Sequence, residues 1–243
     1  MRNRHNKAFT LLELLVVMAV FSLLAVVVMP AVSSIGGGQS LTNAASDISS
    51  TLEQARAYAM ANNTYVYVGF YEADASQPVG VRPQKSGIGR LYVAVVTSKD
   101  GTSGYSDGTW STATVNPNLV NLGKLQHFDG VHLVDKSIVN TLTHMDLNTA
   151  NNLDLSTDSA TPFSAPIGAS VATCTFSKVI QFSSSGAVNR ITDLTANPAI
   201  PSYIQWGIVP AYGNHISSSV ANCAGIQMDG LTGSVRIFRP GQP

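Results

Sequence analysis

Glu13 is the one carboxylate in a run of 21 residues, Phe9 to Met29, that is otherwise apolar or weakly polar. A charge at the centre of a bilayer helix costs on the order of 3 kcal/mol, so an acid in such a segment reads as a functional group awaiting a partner charge. The plainer alternative is that Glu13, one turn inside a helix, snorkels to the interface and gains from the N-terminal dipole. The other reactive side chains are sparse. Cys174 and Cys223 form no CxxC and no Cys/His cluster, which argues against zinc. They are a candidate disulfide for an exported body, stapling the 172–182 region to the penultimate strand, or else two buried thiols. The Asp/Asn loop 146–159 can be set against a calcium-binding pattern. From Asp146 and Asn148 it fails at Ala150, and from Asp154, Ser156 and Asp158 it fails at Ser159 and Ala165. A solvated loop is the better reading, with calcium as its alternative and no other cofactor or metal expected. His127 and His132 are five apart on an expected strand, hence on opposite faces, and His144 and His215 have no partner visible in the sequence. With no G-x-S-x-G, P-loop or HExxH motif, the chain is not expected to be an enzyme.

The elements that must carry Glu13 are helical. At 1.5 Å per residue, Phe9–Met29 spans about 31 Å, the thickness of a bilayer's hydrocarbon core. Arg2, Arg4 and Lys7 precede it and should stay cytoplasmic, so the body after Pro30 should be exported. The apolar run is too long for an ordinary secretory signal, and no clear A-x-A site follows it. Helical periodicity then resumes, with Leu41, Ala44, Ala45, Ile48, Leu52, Ala55 and Ala59 on one stripe. Pro30 and Gly36-Gly37-Gly38 lie between the halves. The expectation is one helix of about 80 Å with a kink or melted turn near 30–38, the alternative being two helices and a loop.

Beyond residue 63 the pattern turns to strands. "TYVYVGFYE" (64–72) alternates, and "RLYVAVVTS" (90–98) is apolar on both faces, as in a covered strand. "LQHFDGVHLV" (125–134) reads as a strand interrupted near Asp129-Gly130, and strands are also expected within 172–186 and over 202–210. "AGIQMDGLTGSVRIFRP" reads as a hairpin turning at 230–233. Residues 99–124 and 136–170 read as long loops. An antiparallel sheet folded on the amphipathic helix gives an α+β chain: 1–8 leader, 9–29 membrane helix, 30–63 kink and amphipathic helix, 64–243 exported β-rich domain. Of 14 basic residues three precede the apolar run, leaving 11 against 14 acidic ones, so the body carries about −3. That sign disfavours nucleic acid as a partner.

"KAFTLLELL" resembles the class III signal of the type IV pilin and type II secretion pseudopilin superfamily: basic leader, small residue at the cut, Phe, then an apolar helix with Glu at its fifth mature residue. The resemblance implies cleavage between Ala8 and Phe9 by a prepilin peptidase and N-methylation of Phe9. It also implies pairing of Glu13 with the α-amino group of Phe9 on a neighbouring subunit. The family usually has Gly where this chain has Ala8. "ARAYAMANNTYVYVGFY" and "IQMDGLTGSVRIF" are similar to the GspH/FimT group of minor pseudopilins and pilins, and the chain's end also resembles the Verru_Chthon cassette protein D group. The function so implied is a structural, minor subunit of a pseudopilus or pilus-like filament. It would sit in the inner membrane with a single pass, its C-terminal domain in the periplasm or at the cell exterior. Its partners would be other subunits, an inner-membrane assembly platform and the lipid bilayer. Two alternatives are a DNA-binding minor pilin using Arg236 and Arg239, and an uncleaved signal-anchored binding domain.

Overall fold

The computed structural model describes residues 11–81, 83–103, 118–139, 142, 145, 152–166, 173–191, 199–216 and 222–241, side chains of 27–37 excepted. Among the described residues one helix, α1 (Leu11–Ala61), precedes thirteen strands. These are β1 (Val66–Asp74), β2 (Gly89–Ser98), β3 (Leu119–Asn121), β4 (Gln126–Val134), β5 (Leu153–Asp154), β6 (Phe163–Pro166) and β7 (Thr173–Phe176). They continue with β8 (Lys178–Phe182), β9 (Val188–Asn189), β10 (Tyr203–Tyr212), β11 (His215–Ile216), β12 (Ala224–Asp229) and β13 (Val235–Phe238). The architecture is α+β.

Among the described residues the main sheet has eleven strands, ordered β13-β12-β10-β4-β2-β1-β8-β9, with β3 beside β2 and β5 and β11 beside β10. All pairings are antiparallel except β5 with β10. The stripe expected on the helix is the buried one: Leu41, Ala45, Ile48, Leu52 and Ala59 are fully buried, and Ala44 and Ala55 almost so. Against it the sheet presents Val66, Val68 and Phe70 of β1, Leu91 and Val93 of β2, and Trp206, Ile208, Ile226 and Met228 of β10 and β12. Small Ala side chains at four of the seven stripe positions let helix and sheet approach closely. The chain leaves the helix by a reversal in which Asn63 takes a left-handed backbone (φ 48°), a conformation Asn tolerates better than most residues. It then runs straight into β1.

The second face of the sheet is also covered, as the two-faced apolar run of β2 implied, by an element the sequence did not identify. A separate two-stranded hairpin, β6 with β7, lays Phe163 and Phe176 over Tyr67, Tyr92 and Ala94. The rings of Phe163 and Phe176 stack at 5.3 Å. The hairpin lies so close that a Cβ on Gly69 would sit 2.5 Å from Phe163 and 2.7 Å from Phe176. So the alternation in 64–72 has apolar residues on both faces because both faces are packed, and Gly69 marks where the cover comes nearest.

In the structure the helix and the cysteines each take one of the alternatives left open, and two expectations, an interrupted β4 and strand-free loops, are corrected. The helix is unbroken through Pro30 and Gly36–Gly38, with no melted turn. Pro removes a single helix hydrogen bond, and Thr42 Oγ1 donates to the Gly38 carbonyl at 2.9 Å as the packed half begins. β4 continues through Asp129-Gly130, because Gly130 takes a left-handed φ of 76° and the register with β2 shifts there instead of the strand ending. The segments read as loops contain β3, β5 and β6. Cys174 and Cys223 are buried thiols and not a disulfide. Cys174 lies in the cluster under the β6–β7 hairpin and Cys223 in a third cluster with Val134, Val139 and Val209.

Candidate assembly helix and buried ionic cluster

Fifty-one residues at 1.5 Å each make α1 about 77 Å long, and it has two characters. From Leu11 to Val26 every residue is exposed, and only Glu13 and Ser22 are polar. Leu11 is 84 % exposed, Phe21 66 % and Val26 73 %. A helix apolar on all sides has no face to give to water, so it requires surroundings that the chain's own fold does not supply. Ser22 is neutralised locally, its hydroxyl donating to the Met18 carbonyl at 2.8 Å. Glu13 lies in the first turn, where the helix dipole favours a negative charge. Ala8 and Phe9 lie outside the described residues, as do the side chain of Pro30, His144 and residues 146–151 of the Asp/Asn loop. Among the described residues no helix is long and apolar enough to cross a membrane.

The packed half begins at a collar. Arg239, after β13, donates from Nη1 to Thr42 Oγ1 (3.1 Å), so one of the two arginines considered for nucleic acid is engaged in holding the chain's end to α1. Arg236 is exposed. His215 is exposed in β11, and the His127 ring lies 5.9 Å from that of Tyr92. Asp154 and Asp158 of the Asp/Asn loop have their carboxylates engaged by protein donors. Asp154 accepts from the Lys136 and Ser156 amides, and Asp158 from the Ser177 hydroxyl at 2.6 Å. Among the described residues no group of three or more His, Cys, Asp or Glu is arranged around a metal position.

Sequence reasoning missed the most concentrated chemistry in the sheet. Glu72 follows Val66, Val68 and Phe70 in the core-facing register of β1, and its side chain is only 8 % exposed. β2 begins at Gly89, opposite Val131, so Leu133 two residues further along β4 has no β2 partner and its N–H donates to Glu72 Oε1 at 2.9 Å. His132 Nδ1 lies 2.7 Å from the same oxygen, and Lys178 Nζ donates to Oε2 at 3.2 Å. Burial pushes the Glu72 carboxyl up, but the His132 hydrogen bond, the Lys178 charge and the Leu133 amide outweigh it and hold the group below its ordinary range. The cluster thus fastens β1, β4 and β8 where a strand is missing. The legible signal was an acid occupying the fourth position of an otherwise apolar core face. Its partners, 60 and 106 residues away, carried no such mark.

Residues 3–29 match the model of the prokaryotic N-terminal methylation motif. No curated protein and no solved structure matches the chain. The N-terminus therefore carries a type IV pilin-like, prepilin-processing motif, and the match ends before the packed half of α1 begins.

Proposed function

We propose, from a processing motif borne on a helix whose first half the fold leaves uncovered, that the chain is a minor subunit of a type II secretion pseudopilus or type IV pilus-like filament. It works by assembly and not by catalysis. Phe9–Met29 holds it in the inner membrane with the sheet domain exported. A prepilin peptidase removes residues 1–8 after Ala8 and methylates Phe9, and an inner-membrane platform adds the subunit to its neighbours. The observation that carries this reading is the all-round exposure of Leu11–Val26 on the motif-bearing helix. In a bundle of such helices each apolar surface is covered by its neighbours. Glu13 then fixes register, since a carboxylate among apolar helices is tolerated where a neighbour's α-amino group meets it and costly elsewhere. The resemblance of "ARAYAMANNTYVYVGFY" and "IQMDGLTGSVRIF" to the GspH/FimT group is what suggests a subunit of that kind.

The test is the intact mass of the protein from membranes of cells that contain a prepilin peptidase. Loss of residues 1–8 with one methyl group added at Phe9 is expected. A full-length, unmethylated mass under those conditions overturns the reading and leaves an anchored sheet domain.

A further inference from the structure

Between the pairs Val96↔Asn121 and Val93↔Gln126, two residues of β2 face four of the adjoining chain. Leu122 keeps one ladder bond, its N–H donating to the Val95 carbonyl at 2.8 Å. The chain then bows outward at Gly123, whose φ of 83° is left-handed and whose Cβ position has nothing within 4 Å. The bow opens a cleft of about 410 Å³ between this segment and α1, within the size range of small-molecule sites.

Its two sides differ in kind. Val95, Leu122 and the Tyr58 ring, all packed against the main core, make an apolar floor. The rim offers donors. Thr51 Oγ1 donates to the Asp47 carbonyl at 2.8 Å and lies 2.9 Å from the side-chain amide of Gln126, whose carboxamide lines the cleft beside it. Lys124 lines the cleft, no acidic residue does, and no carboxylate lies within ion-pair distance of the Lys124 ammonium among the described residues. Asp47 borders the next depression along the helix, so an anion is favoured only at the Lys124 end.

We propose that this cleft binds a small carboxylate with a flat apolar body. The body lies on Leu122 and Val95 beside Tyr58, and the carboxylate takes hydrogen bonds from Lys124 and Gln126. The proposal concerns the sheet domain alone and is independent of filament assembly.

The test uses the full chain in lipid nanodiscs with methyl-labelled Leu and Val, titrated with 3-phenylpropionate and with its neutral isostere 3-phenylpropanamide. Saturable shifts at the Leu122 and Val95 methyls are expected for the acid, with the amide about tenfold weaker. Lys124→Gln, an exposed substitution, should equalise the two ligands while leaving the melting temperature unchanged, and Tyr58→Ala should weaken both. The proposal is overturned if those methyls do not move, if acid and amide bind alike, or if Lys124→Gln leaves the difference intact.

Discussion

The two halves of α1 are built from the same kinds of residue and meet opposite fates. In Leu41–Ala59 the apolar side chains fall on one stripe, and the sheet covers that stripe completely. In Leu11–Val26 they surround the axis, and no element of the fold covers any of them. Each half also has an acid nearby on an apolar background. Glu72, beneath the packed half's sheet, draws its partners from two other strands of its own chain, whereas Glu13 lies on the exposed half of α1. The difference teaches that apolar content decides burial, but its angular distribution decides whether the chain or something outside it does the burying.

The largest expected effect sets one half against the other. Leu52→Asp places a charge in the fully buried stripe and should unfold the sheet domain, a loss above about 4 kcal/mol seen as absent cooperative melting. Val16→Asp should leave that melting unchanged yet reduce membrane integration, because a central Asp costs about 3 kcal/mol on insertion. Equal effects on melting would break the comparison. Next come the acids. Glu72→Gln should destabilise the domain by about 3 kcal/mol, since it leaves Lys178 without its counter-charge and weakens the hydrogen bonds to His132 and Leu133, while Glu13→Gln should spare stability and abolish incorporation into filaments. Chemical denaturation and filament shearing read the two.

The Glu72 contribution also has a pH signature. Its folded carboxyl titrates below the ordinary 4.5, so its stabilisation is complete above that pH and is lost as pH falls through the lower folded value. The gap in melting temperature between wild type and Glu72→Gln should therefore close in acid. A gap that persists there would show that the cost of the substitution is steric. Smallest is Gly69→Ala on the hairpin-covered face, where the new methyl meets Phe163 and Phe176. About 1–3 kcal/mol of destabilisation is expected, again with no effect on membrane integration.

What could be read from the sequence was what repeats locally. Seven stripe residues at helical spacing predicted the buried face of α1, and β1, β2, β10 and the β12–β13 hairpin announced themselves by alternation or continuous apolar runs. The misses share a cause. β6 lies in a polar stretch too poor in apolar residues to signal a strand, and the place where Phe163 comes nearest the sheet, Gly69, is nearly a hundred positions earlier. The bow at Gly123 is a mismatch between two chains and is invisible in either alone. Cys174 and Cys223 lie apart because they join different clusters, Cys174 with Tyr67, Tyr92 and Val179 and Cys223 with Val134, Val139 and Val209. At the N-terminus the reverse holds. The motif around Ala8, Phe9 and Glu13 is local and legible, while the partner it implies belongs to another molecule.

The tight reversal at Asn63 has a mechanical consequence. α1 feeds directly into β1, an interior strand bonded to β2 on one side and β8 on the other, and β1 packs back against the helix it has just left. A pull along the rod therefore loads the whole buried stripe and the β1 ladders at once, in shear, so that many contacts must slip together before any one yields. Had the helix led into a peripheral strand such as β13, the same pull would have peeled the sheet one hydrogen bond at a time. The order in which the strands are threaded thus sets a pull along α1 against interior ladders instead of an edge.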